Sequence, residues 1–212
     1  MLPNAATNGR VLQGTCGWSD ASLVKCGRFY PASVKTSDDK LAFYSSKWPC
    51  VEVDTTTYAI PRPTQVEKWV HAVRASPGFV FHVKAFGLFP GKTCSLEALP
   101  AEVRQTLPTP LQQGRSSRGS GSSVGGGLRV SLSDLGMHQV GLVWAAFHDA
   151  LAPLASSGRL GCVVFQFHLG FGPSAENRRH VRWCRDHLDK RFTMCEEAAS
   201  LDTYSLLHFS AQ

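Results

Sequence analysis

Residues 50–61 read CVEVDTTTYAIP, and this stretch decides the fold. Cys50, Val51 and Val53 form a short apolar run, and alternation along a strand puts Glu52 and Asp54 together on one face. The run ends in the polar cluster Thr55, Thr56, Thr57 and Tyr58, and the prolines after it introduce a helix. A strand that ends in polar residues and passes into a helix is the unit of parallel α/β folds, where function collects at the carboxyl ends of the strands. The pattern recurs on both sides. Residues 11–14 lead into Thr15, Cys16, Gly17 and Trp18; residues 79–83 carry His82 and lead into Lys84. Residues 160–165 run into Gln166 and His168, and residues 192–195 run into Glu196 and Glu197. His82 shares a face with Lys84, and Gln166 with His168.

Helix signals fall between these runs. Ser37, Asp38 and Asp39 mark a start before residues 40–46, and Thr64 with Glu67 makes a capping-box pattern for a helix through Ala75. Val66, Trp69, Val70 and Val73 recur there at helical spacing. Val140, Val143, Trp144, Phe147, Leu151 and Leu154 mark a strong amphipathic helix, and Pro173 and Ser174 open another with Val181, Cys184 and Leu188 on its buried stripe. Residues 86–133 show no sustained periodicity. Within them, residues 112–127 are dominated by Gly, Ser and Arg, which bury too little apolar surface to offset their ordering entropy, and they read as a disordered insert.

The 212 residues suffice for one domain with a sizeable core. A flexible tail is expected at residues 1–10, the α/β body at 11–197 and an atypical carboxy-terminal tail at 198–212. Composition is globular, with 43% hydrophobic and 18% charged residues. The net charge of +6 permits phosphate or nucleic-acid binding, but the basic residues are scattered except at residues 178–191, which read as a solvated helix face. No run approaches the ~20 apolar residues of a membrane span, and residues 1–10 lack a signal-peptide core. Seven cysteines, an odd number with no Cys-x-x-Cys pair, fit buried thiols in a reducing compartment. The expectation is therefore an intracellular, cytoplasmic protein without a membrane partner.

The segments GTCGWSD (14–20), FYP (29–31), VEVDTTTYAIP (51–61), GFVFHVKA (78–85) and LGCVVFQF (160–167) occur in an order that resembles the YecE-like proteins, catalogued as domain of unknown function 72. The resemblance implies a TIM-barrel-like (β/α) fold with a parallel sheet and a polar pocket at the strand ends. Thr15, Gly17, Trp18, Tyr30, Glu52, Asp54, Tyr58, Lys84 and Gln166 match its motifs. Asp54 stands where the family has Asn, Cys16 where it has Ser, and the Arg expected after Glu196 is absent. Motifs for the last three strands are missing. A closed barrel uses eight strands and about 250 residues, so the chain reads as an incomplete barrel of about five βα units. Its open sheet edge then invites self-association.

The chemical expectation centres on Glu52 and Lys84, a carboxylate and an ammonium on neighbouring strands, with Glu196 as a second carboxylate. Gln166, Thr15, Gly17 and Asp54 would orient a substrate, and Trp18 and Tyr58 would wall it. A structural Glu52–Lys84 ion pair is the bland alternative. A metal would need Glu52, Asp54, His82, His168 and Glu196 to converge beside the Lys84 cation, and no metal or other cofactor is assigned. Two functions stay open. One is binding or turnover of a small anionic or phosphorylated metabolite. The other is a non-catalytic, truncated interaction protein that binds RNA through the basic Gly/Ser/Arg loop.

Overall fold

A computed structural model describes residues 11–107 and 128–197. The two expected tails and the Gly/Ser/Arg insert lie outside the described residues. Four parallel strands form the sheet: β1 (Cys50–Val53), β2 (Val80–Lys84), β5 (Leu160–Gln166) and β6 (Met194–Glu197), in that spatial order. The order follows the sequence with no reversal. It is the order of a barrel wall rather than of a doubly wound sheet, which turns back at a switch point.

The expected first strand at residues 11–14 is not formed. Its contribution shrinks to one parallel bridge between Cys16 and Glu52, with the Glu52 amide donating to the Thr15 carbonyl at 3.0 Å. Gly14 lies against Cys50 so closely that a Cβ there would sit 2.2 Å from the Cys50 carbonyl oxygen. The Thr15 amide donates to the Tyr44 hydroxyl at 2.7 Å, and that hydroxyl donates on to the Cys50 carbonyl at 3.1 Å. A side chain thus takes the backbone donor a ladder would have used.

Helices cover one face of the sheet. α1 (Ala21–Lys25) is a single turn capped by Asp20. α2 (Ser37–Ser45) begins at the expected signal, with Thr36 just before it as the cap, and Thr36 and Asp39 exchange the two bonds of a capping box. α3 (Pro63–Ala72) corrects the reading of Thr64. The cap position is Arg62, and Pro63 occupies the first turn, where its missing N–H costs nothing and its φ is preset. α5 (Met137–Ser156) and α6 (Ala175–His187, capped by Ser174) fall where periodicity placed them. Leu41, Tyr44, Val66, Trp69, Phe147, Leu151 and Cys184 meet the sheet residues Val51, Val53, Phe81, Val83, Val163 and Phe165, all of them buried.

Residues 86–107 are more ordered than their lack of periodicity predicted. Phe86, Leu88 and Phe89 are buried, and Phe89 stacks on Trp144 at 3.6 Å with an interplanar angle of 5°. β3 (Cys94–Ser95) pairs antiparallel with β4 (Arg129–Val130), and α4 (Ala101–Thr106) lies between them. Three aromatic or aliphatic anchors suffice to pin an irregular loop that shows no regular pattern.

Candidate functional site at the strand ends

Alternation sorts the sheet into two faces. Val51, Val53, Phe81, Val83, Val163 and Phe165 point at the helices, and the residues between them point the other way, into what would be a barrel interior. On that interior face the side chains form two rows. The upper row, at the strand ends, holds Asp54, Lys84, Gln166 and Glu197. The lower row holds Cys16, Glu52, His82 and Cys162, while Cys195 faces the same side in register with Val164, the β5 partner of Lys84. Cys16 bridges Glu52, and Glu52 is in register with His82. His82 Nδ1 lies 3.2 Å from Cys162 Sγ.

Lys84 is the hub. Its side chain is 10% exposed, and its Nζ lies 2.8 Å from Asp54 Oδ1, 3.2 Å from Glu52 Oε1 and 3.9 Å from Glu197 Oε2. Gln166 Oε1 accepts from Lys84 Nζ at 3.5 Å and from Lys92 Nζ at 3.2 Å. The Cys16 thiol donates to Glu52 Oε1 at 3.3 Å. Thr56, one of the polar cluster after the first run but given no role there, places its hydroxyl 2.6 Å from the Lys84 carbonyl and 2.9 Å from that of Val53, tying the ends of β1 and β2 together.

The sequence profile of a family described as "Protein of unknown function DUF72" matches residues 12–198. The chain belongs to the DUF72 family. It is 26% identical over 175 residues to the UPF0759 protein YunF of Bacillus subtilis (strain 168), covering 82% of this chain and 46% of that protein. Two crystal structures of a DUF72 family protein of Enterococcus faecalis V583 share the fold. They superpose with TM-scores of 0.56 and 0.52, at 20% and 19% identity, over 92% of this chain and 53% and 54% of theirs. The DUF72 chain therefore spans about half the length of the relatives it matches.

The DUF72 site departs from its sequence reading at several residues. Glu196 faces away from Lys84. Gln166 is in register with Glu197, and Glu196 pairs with Phe165, on the helix side, where its charge acts on Cys184 of α6. Glu197 is the carboxylate beside Lys84. Trp18 is buried edge-on to Trp69 and Phe81, its indole N–H donating to Ser37 Oγ at 3.2 Å, so it is core rather than pocket wall. Tyr58 is 74% exposed and walls nothing among the described residues. Thr15 clamps Tyr44 and Gly17: its hydroxyl donates to the Gly17 carbonyl at 2.9 Å, while Gly17 turns the chain with φ 93°. Tyr30 donates to the Trp18 carbonyl. His168 accepts from the Gly170 amide and closes its own turn. Glu52, Asp54, Lys84 and Gln166 do converge, and Lys92 joins them from the loop after β2. Lys92 has no periodic signal and could be found only once that loop folds back.

Electrostatics assigns these groups different roles. Burial works against the Lys84 charge, but the hydrogen bond to Asp54 and the Glu52 carboxylate outweigh it and raise its pKa above the ordinary Lys value. Lys84 is thus a fixed cation and not a base near neutrality. Burial and the neighbouring Lys84 charge push Lys92 down, with Glu197 and Asp54 pulling the other way. Burial and the hydrogen bond to Glu52 raise Cys16, which makes it a poor nucleophile. Among the described residues no group of three or more His, Cys, Asp or Glu is placed to hold a metal ion, and no helix is long and apolar enough to cross a membrane. A hollow lined by Leu12, Pro49, Ser76 and Phe79 opens at the other end of the sheet, remote from this chemistry.

Proposed function

We propose that the strand ends of this DUF72 chain bind a small polar metabolite that carries one anionic group, a phosphate or a carboxylate, and that Glu52 is the group that exchanges a proton with it. The observation behind this reading is Lys92. Among the described residues no carboxylate lies within ion-pair distance of its Nζ, which touches only the neutral Gln166 amide. Lys84 is already neutralised by Asp54 and Glu52 and is a weak receptor for a further anion. The anionic group therefore goes to Lys92, across Gln166, and the hydroxyls of the ligand donate to Asp54 and Glu52. Glu52 is the partly exposed carboxylate between Lys84 and the Cys16 thiol, within hydrogen-bond reach of a ligand so placed. The RNA-binding alternative draws on residues outside the described ones and gains nothing from the strand ends.

Nuclear magnetic resonance titration of the full chain with glycerol phosphate, and with glycerol as the uncharged control, tests this. Saturable shifts at Lys92 and Gln166 with the phosphate ester alone are expected. Lys92→Ala should abolish them and Lys92→Arg should retain them. Equal shifts with glycerol, or binding indifferent to Lys92→Ala, would overturn the reading.

A further inference from the structure

The lower row of the interior face adds a group that the strand-end reading leaves unused. Phe81 pairs with Leu160 and Val83 with Val163, so His82 faces the two residues Gly161 and Cys162 across a β-bulge. The bulge seats the ring. A Cβ at Gly161 would sit 2.7 Å from His82 Cε1 and 2.8 Å from Nδ1, and Nδ1 lies 3.2 Å from the sulfur of the buried Cys162. Nδ1 and Cε1 thus face β5, and Nε2, at the tip of the ring, reaches into the interior with no hydrogen-bond partner among the described residues. Glu52 stands beside it: the two are in register on β1 and β2, and the Glu52 charge acts on the imidazole. Both contacts of that carboxylate, with Lys84 and with Cys16, fall on Oε1, which leaves Oε2 without a protein partner among the described residues.

We propose that Glu52 and His82 act together on a short-chain α-hydroxycarbonyl phosphate: Glu52 Oε2 takes a proton from the carbon beside the carbonyl, and His82 Nε2–H holds the oxygen on which charge develops. This rests on the ligand reading above and adds to it the substrate class and the second reacting group. A ring nitrogen accepts well and a thiol sulfur poorly, so the Cys162 S–H donates to Nδ1 and the imidazole proton sits on Nε2. Burial, against the pull of Glu52, keeps the ring neutral near pH 7. As the proton leaves, the C–H electron pair forms a C=C bond and the carbonyl pair moves onto oxygen, where the imidazole N–H stabilises the enediolate. The proton then returns from Glu52 to either carbon, so the step balances without a co-reactant. The lower row lies two residues, about 7 Å, below Lys84, a distance that a three-carbon chain spans when its phosphate is at Lys92.

Dihydroxyacetone phosphate added to the full chain in deuterated water tests it, with proton resonance reading exchange of the substrate C–H and amide shifts at Lys92 and Gln166 reading binding. Deuterium should enter the hydroxymethyl carbon. Glu52→Gln should drop exchange to the rate without protein, and His82→Leu should slow it about a hundredfold, while both variants still bind through Lys92. A second measurement needs no variant: the nitrogen-15 shifts of His82 should show Nε2 protonated and Nδ1 bare. Binding without exchange, exchange indifferent to either substitution in a folded variant, or the opposite tautomer would overturn this inference and leave the ligand reading standing. Absence of any shift at Lys92 would overturn both.

Discussion

The Asp54 carboxylate holds the Lys84 ammonium at 2.8 Å, closer than the 3.2 Å of Glu52 on the same strand. Asp54 sits one step beyond the end of β1, where Lys84 ends β2, so the pair caps the sheet rather than filling its middle. Removing Lys84 leaves Glu52, Asp54 and Glu197 facing one another. Breaking a buried pair costs ~3–5 kcal/mol, but these carboxylates are 25–51% exposed and water screens them. Lys84→Met should therefore destabilise the chain by about 2 kcal/mol in urea unfolding. The raised Lys84 pKa stabilises the fold fully below the unfolded Lys value of about 10.4 and is lost as pH rises through the higher folded value. The penalty of Lys84→Met should be flat from pH 7 to 9 and shrink only in stronger alkali.

The two adjacent acids should respond oppositely to neutralisation. Burial raises the Glu196 carboxyl pKa, so its ionisation opposes folding once pH exceeds the unfolded Glu value of about 4.3. Glu196→Gln should raise the urea midpoint at pH 7, and the gain should close as pH falls toward 4. Glu197 is half exposed and 3.9 Å from Lys84, so Glu197→Gln should change stability by no more than about 0.5 kcal/mol. If Glu196→Gln proved destabilising at pH 7 instead, the face assignment of β6 would be wrong.

That assignment also shows what the sequence made legible. Strands 50–53, 80–84 and 160–166 and the helices after them carry clean periodic signals, and the family motifs follow them, so the parallel order was readable. At residues 192–197 no alternating pattern separates Glu196 from Glu197; only pairing with β5 decides which one faces Lys84. Trp18 looked like a pocket wall because it follows a strand-like run, yet the chain turns at Gly17 and sends the indole into the core. Lys92 arrives through a loop held by Phe86, Leu88 and Phe89, a tertiary contact that local propensity does not encode.

Acid should weaken the fold well above the carboxylate range. Burial lowers the pKa of His82, His148 and His180 in the folded chain. The unfolded chain takes up protons near pH 6.5 while these rings remain neutral, so their contribution is present above that value and is lost as pH falls through the depressed folded values. The urea midpoint should be lower at pH 5.5 than at pH 7.5, and His180→Gln should reduce the difference. Glu196 works in the opposite direction at the acid end, so the slope is cleanest in Glu196→Gln. Asp20, Asp39 and Asp189 are held below the usual carboxylate range by hydrogen bonds to Ser22, Thr36 and Arg191, and they add their losses only below about pH 4.

Trp18 gives the sharpest test of core against site. Its ring centroid lies 5.5 Å from that of Trp69 and 6.4 Å from that of Phe81, both near edge-on, and its carbonyl accepts from Tyr30. Trp18→Ala should empty that space and cost about 3–5 kcal/mol, whereas Trp18→Phe should keep most of the packing and lose mainly the hydrogen bond to Ser37, about 1 kcal/mol. A side chain that served only to wall a ligand would show the reverse: little change in the urea midpoint of Trp18→Ala and a large change in glycerol phosphate binding. The expected result is a large loss of stability in Trp18→Ala, with Trp18→Phe binding the phosphate ester as the unmutated chain does.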